Sequence, residues 1–335
     1  MIPSSPRAFG LVFSLALAAC GASKASVMDS GPDAGVSADS SADSSLRPLD
    51  PRLFDCTSST GGLPPRKAQT SPECLRDPRC TTRLVAAHRG AGGQLGRIAP
   101  ENSLSAYRAG IAMGVDLVET DPRPTADGVI VNIHDATLDR TTTGTGPVDG
   151  KTYAEIRALG LRSGGLAGDF SCERVPTLLE LLQTCVGRAM VLIDANKTDR
   201  VDLLVKAILE AGALDWAVFD TSSTGKIDRA LAMEPRLMIM PRVASVAEAN
   251  SVLERYKDHL PVFVEIDTAL FPASADRIHA AGTRAFTNAF VIDVGIKLGA
   301  PKAGYLEMYG KGADVLQTDL PDLVLGALGR PVPPP

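Results

Sequence analysis

From residue 83 onward, short apolar runs alternate with longer stretches in which apolar residues recur every three or four positions. The runs at 84–87, 116–121, 129–134, 190–195, 217–220, 237–241, 262–267, 284–288 and 315–319 read as strands. The stretches 102–113, 152–159, 177–182, 202–210, 246–256 and 273–281 read as helices; in 102–113, Leu104, Tyr107, Ile111 and Met113 fall at roughly helical spacing. Pro176 suits a first helical turn. Buried strands alternating with helices imply parallel strands covered by helices. Roughly 250 residues with eight or nine strands predict an α/β TIM (β/α)8 barrel over 83–330. A doubly wound sheet fits the alternation too, and the polar residues separate the two. His88, Arg89, Glu119, Asp121, His134, Asp194, Asn288 and Asp319 sit at or near strand C-termini, from the first strand to the last. A barrel brings all those ends to one mouth.

The N-terminal part follows another pattern. After Arg7, an apolar run at 8–19 is too short to span a bilayer and ends in Leu17-Ala18-Ala19-Cys20. It resembles a bacterial lipobox, which implies a lipoprotein signal peptide at 1–20, lipidation of Cys20 and a membrane anchor through the N-terminus. Gly21, in place of Asp, implies sorting to the outer membrane or cell surface. An ordinary cleaved signal with Cys20 incidental is the competing reading. Residues 21–50 are rich in Ser, Ala, Asp and Gly without an apolar period and read as a flexible disordered tether. Residues 51–82 form a cysteine-containing extension, and 331–335 a disordered tail.

Six cysteines less Cys20 leave five, in a compartment where disulfides form. The odd number leaves at least one thiol unpaired within the chain. Cys172 and Cys185 bracket one loop-helix segment and are a reasonable pair, and two of Cys56, Cys74 and Cys80 would staple the extension. No cysteine or histidine spacing suits zinc. A net charge of −5, without a basic stripe, argues against nucleic acid as a partner.

The densest chemistry lies in VETDPRPTADGVIVNIHD, 118–135. Glu119 and Asp121, two apart, share a face of an extended strand. Asp127-Gly128 favours a two-residue hairpin turn, because glycine tolerates positive φ. In that register Ala126 pairs with Val129 and Asp121 stands opposite His134.

Six motifs in order, AHRG (87–90), APENS (99–103), VETD (118–121), NIHD with LDRTTTGTG (132–146), RVPTLLELL (174–182) and GADVLQTDLPDLVL (312–325), resemble the glycerophosphodiester phosphodiesterase family over about 83–326. The resemblance implies a TIM barrel, one divalent metal ion (Ca²⁺ or Mg²⁺), and hydrolysis of glycerophosphodiesters to an alcohol and glycerol 3-phosphate. His88 and His134 would be the acid–base pair, since an imidazole near neutral pKa plays either part. Glu119 and Asp121 are hard oxygen ligands for the metal, and the resemblance adds Asp194 as a third and Glu101 as a ligand or its support. Arg89, Asn102 and Lys197 would hold the substrate phosphate, Arg89 as a planar charged fork. Asn288 is left out of the site, and Asp319 reads as a helix N-cap before Leu320-Pro321.

Two departures stand out. The family's acid-x-lysine on the fourth strand is here Asp194-Ala195-Asn196-Lys197, which puts Lys197 on the opposite face of a regular strand unless a bulge re-aims it. The first loop, with Gly92, Gly93 and Gly96, is longer than expected; it reads as flexible and as carrying Arg97 to the mouth. Rival readings are a sphingomyelinase D-like or lysophospholipase D-like enzyme on phospholipid headgroups, which an apolar rim at the mouth would favour, and a non-catalytic surface binding protein. The intact histidines and acids argue against the last.

Overall fold

Side chains alternate across a strand, and a barrel buries both faces. The computed structural model describes residues 49–65, 72–77 and 79–330. After α1 (Pro72–Arg76) come β1 (Leu84–Ala87), α2 (Leu104–Met113) and β2 (Leu117–Thr120). The chain then makes a long excursion through a hairpin, β3 (Pro122–Pro124) with β4 (Ile130–Asn132), and through α3 (Tyr153–Arg157) and α4 (Leu178–Cys185). Strands and helices alternate thereafter: β5 (Met190–Asp194), α5 (Val201–Glu210), β6 (Ala217–Thr221), α6 (Thr224–Met233), β7 (Met238–Val243), α7 (Val246–Arg255), β8 (Phe263–Ile266) and α8 (Ala273–Ala280). The last turn of the fold is β9 (Arg284–Asn288), α9 (Phe290–Lys297), α10 (Ala303–Gly310), β10 (Val315–Thr318) and α11 (Pro321–Ala327). Eight parallel strands close in the order β1-β10-β9-β8-β7-β6-β5-β2, the TIM barrel expected from the alternation.

Alternation decides what fills the barrel. Ala86, Leu117, Leu192, Val218, Met240, Phe263 and Phe286 belong to one inner cluster, whereas Val85, Val118, Ile193, Phe219 and Val264 pack outward under the helices. Leu75 of α1 joins the inner cluster, and the Arg284 guanidinium beside it donates to the carbonyls of Cys74, Asp77 and Cys80. The extension therefore plugs the N-terminal end of the barrel and leaves the C-terminal end open for chemistry.

Helix starts follow capping chemistry. Ser103 accepts from Ala106 N, so α2 begins after residue 103, later than the periodicity suggested. Thr152 with Glu155 and Thr177 with Glu180 form capping boxes at α3 and α4. Pro176 thus precedes the cap of α4 and lies outside its first turn.

Two expectations are corrected. The hairpin closes through three residues, 126–128: Thr125 N donates to Val129 O (2.9 Å) and Gly128 takes φ 80°. The register slips by one, and Ile133 N donates to Asp121 O, so Asp121 faces Ile133 and not His134. The turn signal was sound, but Thr125 Oγ1 accepts from Val129 N and adds a residue to the loop. The disulfides are Cys56–Cys172 and Cys74–Cys80; Cys185 is buried and free, because it ends α4 on the face turned into the core.

Leu49 is buried and Asp50 caps a 3₁₀ turn at Pro51–Leu53, so packing has begun inside the stretch read as tether. Cys20, the export signal and most of the tether lie outside the described residues, as does 331–335. Among the described residues, no helix is long and apolar enough to cross a membrane.

Burial pushes the Cys185 thiol up to about 12. At pH 9 iodoacetamide will leave Cys185 unmodified in the native protein and alkylate it after denaturation; peptide mapping will also return Cys56–Cys172 and Cys74–Cys80 as linked pairs. Fast native alkylation of Cys185, or a Cys172–Cys185 peptide, would contradict the packing of α4.

Candidate active site

The barrel's inner face ends in polar residues, one alternate step above its apolar layer: Ala86 then His88, Leu117 then Glu119, Leu192 then Asp194, Val218 then Asp220, Met240 then Arg242, Phe263 then Glu265. Strand periodicity alone thus lifts this set to the mouth.

Glu119, Asp121 and Asp194 are buried, and their carboxylate oxygens lie within 4.8 Å of one another. Burial, reinforced by the charges of Asp121 and Asp194, pushes Glu119 well above the usual carboxylate range. Burial pushes Asp121 the same way, but Asn102, His134, Lys197 and Arg89 outweigh it and hold the carboxyl low. Asn102 Nδ2 donates to Asp121 Oδ2 (2.9 Å), and its Oδ1 accepts from the Tyr107 hydroxyl (2.9 Å). Asn102 thus orients Asp121 with one of its two amide hydrogens. Arg89 N donates to Glu119 Oε2 (3.0 Å). Arg89 and Asn102 both adopt left-handed backbone, φ 54° and 55°, a conformation non-glycine residues seldom hold away from functional sites.

Lys197 Nζ stands 3.5 Å from Asp121 Oδ1 and 3.7 Å from Asp194 Oδ2. The strand ends at Asp194, and a 3₁₀ turn at Ala195–Lys197 delivers the lysine, so the opposite-face rule does not apply and no bulge is involved. Asn196 Oδ1 accepts from Thr221 Oγ1 and Ser222 N and has a structural task. Glu101 stands apart from the three acids. Its oxygens accept from Arg89 Nη1 (2.9 Å) and from Arg140 Nη1 and Nη2 (2.6 and 2.7 Å).

Each histidine is backed by a carboxylate. His88 Nδ1 lies 2.7 Å from Asp319 Oδ1, and its Nε2 lies 3.9 Å from Glu119 Oε2, facing the acids. His134 Nδ1 lies 2.8 Å from Asp135 Oδ1, and Arg140 hydrogen-bonds Asp135 and holds it well below the carboxylate range. Asp319 is thus not the N-cap of α11, where no side chain caps; its second oxygen accepts from Leu95 N (3.0 Å). A Cβ on Gly93 would lie 2.0 Å from Asp319 Oδ1, so this glycine is needed for close approach and not for the flexibility expected of the loop. Arg97 reaches Gly164 O and lines a side cavity.

Sequence reasoning missed Asp135, Arg140, Asp220, Arg242 and Glu265. Arg242 bonds Asp220 and reaches Glu265 (3.0 Å) and Asp194 (3.5 Å). Burial pushes Asp220 up to about 8, against Arg242. The inward periodicity described above was the signal for the last three; Asp135 and Arg140 stood inside the NIHD and LDRTTTGTG motifs without being given a role. Asn288 is exposed and accepts from Phe290 N at the start of α9.

A model of the glycerophosphoryl diester phosphodiesterase family matches residues 88–283. A glycerophosphodiester phosphodiesterase of Caldanaerobacter subterraneus is 31% identical over 217 residues, 58% of this chain and 86% of that one. Glycerophosphodiester phosphodiesterase 1 of Bos taurus is 37% identical over 128 residues, 37% of this chain and 38% of its own. The crystal structure of a glycerophosphodiester phosphodiesterase from Agrobacterium tumefaciens superposes with a TM-score of 0.59 at 28% identity, over 73% of this chain and all of that one. An Oleispira antarctica phosphodiesterase in complex with sn-glycerol-3-phosphate shares the fold at a TM-score of 0.60 and 23% identity, over 75% of this chain and 99% of that one. The family match begins at His88, where the first strand hands over to the site, and with more than half the chain covered this protein belongs to the glycerophosphoryl diester phosphodiesterase family.

Proposed function

We propose that this phosphoric diester hydrolase cleaves glycerophosphodiesters to an alcohol and glycerol 3-phosphate, using one divalent cation, Ca²⁺ or Mg²⁺, and the histidines His88 and His134. The observation that carries the reading is the cluster of three buried carboxylates beside two carboxylate-backed histidines. Three buried acids this close together are costly unless a positive charge joins them. The rise of Glu119 expresses that cost, and an all-oxygen donor set fits a hard cation. Glu119, Asp121 and Asp194 would hold the ion, which when bound polarises a phosphoryl oxygen.

The chain's own groups account for the rest. With Nδ1–H donated to Asp319, His88 presents Nε2 toward the acids as a proton acceptor; Asp135 does the same for His134. One histidine takes the proton of the attacking oxygen and the other returns one to the leaving alkoxide. Arg89 and Lys197 set positive charge beside the cluster, where a phosphate would carry negative charge. Glu101 fixes Arg89 and Arg140, and Asn102 fixes Asp121. The apolar run ending at Cys20 supports export and lipid anchoring at the outer membrane or cell surface.

Full-length protein supplied with glycerophosphocholine will release glycerol 3-phosphate with Ca²⁺ or Mg²⁺ and will stop in EDTA. His134→Ala will cut kcat about 10²- to 10⁴-fold while calorimetric metal binding persists; metal-independent turnover would sink the cation assignment. Asp319→Asn will lower kcat by at least about 100-fold with little change in KM, as expected when a histidine loses its orienting carboxylate. It will also move the pH–rate profile, whereas an unchanged profile would reduce Asp319 to a structural role.

A further inference from the structure

The β9–β10 connection leaves an apolar stripe exposed. Asp293 is the buried residue of α9, fully shielded, and it accepts from Tyr305 Oη (2.6 Å), Thr318 Oγ1 (2.8 Å) and Asp319 N (2.8 Å). This polar bolt fixes α9 at the C-terminal end of β10. Ile292 and Ile296 pack against the core beside it, while the remaining apolar residues turn outward: Phe290 is 47% exposed, Val291 73% and, just past the helix's end, Leu298 83%. With half-buried Val294 they recur at the three- and four-residue steps that make one helical face. Single exposed leucines are ordinary, but an exposed apolar stripe on a helix that already buries Ile292 and Ile296 is more than core packing requires.

Three features on the molecule say what covers the stripe. Exposed Lys297 and Lys302 flank Leu298, the pairing of apolar face and basic rim that suits an anionic bilayer surface. Leu49, where the described residues begin, and Lys297 line one cavity of about 680 Å³. Ala289 N donates to Gln317 O at the barrel's C-terminal end, so the stripe starts on the rim of the active-site mouth.

We propose that the outer face of α9, with Lys297 and Lys302, seats on an anionic lipid surface and turns the mouth of the barrel toward it. Nearness to a membrane rests on the anchored reading of the N-terminus, while the stripe and its lysines stand independently. The seated face would present the site to diesters at the membrane, the condition under which lipid-borne headgroups reach the metal acids.

The test uses the full chain in vesicles of phosphatidylethanolamine and phosphatidylglycerol, with a polarity-sensitive fluorophore on Leu298→Cys. Leu209→Cys, an exposed leucine of α5, serves as control. Emission at 298 will shift to the blue and be quenched by spin-labelled acyl chains, and emission at 209 will not. Adding Val291→Asp will abolish the shift while glycerophosphocholine turnover stays at the parent's level. No shift at 298 in the parent overturns the proposal. So does a shift without vesicles that tracks dimer formation by light scattering, which would assign the face to a second copy. Absent glycerophosphocholine turnover in the parent would count against the proposed function, and the emission would still decide the docking.

Discussion

Three buried carboxylates within 4.8 Å of one another repel, and most of the surrounding architecture answers that repulsion. Arg89, Lys197 and Arg242 approach the cluster from three different elements, and none is a simple partner to one acid. The charges are shared, which places the acids without neutralising them. Two residues take up left-handed backbone to do this, at a cost of about 1–2 kcal/mol each for a non-glycine. The Arg89 amide and the Asn102 side chain are what that strain secures: one donor on Glu119, one on Asp121. A barrel suits such a site, because its strands hold their ends rigidly while the loops supply the counter-charges.

The fold was legible because it rests on period. Every barrel strand was announced by a short apolar run, and the same period of two lifts His88, Glu119 and Asp194 to the mouth. What failed was local or long-range. The hairpin register slipped by one residue through a single threonine hydroxyl, which no periodicity reports. Lys197 looked misplaced because a strand rule was carried one turn too far. Asp319 looked like a cap because its real partner, His88, is 231 residues away in sequence. The cysteine pairing failed likewise: nearness in sequence favoured Cys172 with Cys185, but α4 carries Cys185 inward while the excursion brings Cys172 to Cys56.

The two histidines are supported by different means. His88 is held across the closure of the barrel, by a residue at the end of the last strand that also lies outside the stretch matched to the family. His134 is held locally, by the residue after it, and is tied through Arg140 and Glu101 to Arg89. One depends on the barrel being closed; the other depends on an ion network across the excursion and the first loop. Arg108 serves the same excursion from beneath, donating to Phe54 O and Glu173 and so joining α2, the extension and the segment before α4.

The Cys56–Cys172 link closes a covalent ring of 116 residues' separation. Inside that ring lie His88, Arg89, Glu101, Asn102, Glu119, Asp121, His134 and Arg140, whereas Asp194, Lys197 and Asp319 lie outside it. In a chain-entropy account, a ring of this size removes about 5 kcal/mol of disorder from the unfolded chain. That saving falls on the half of the site that carries both histidines. An oxidised, unfolded chain would therefore already confine those groups to one loop, so reduction would weaken that half of the site more than the half built on the later strands.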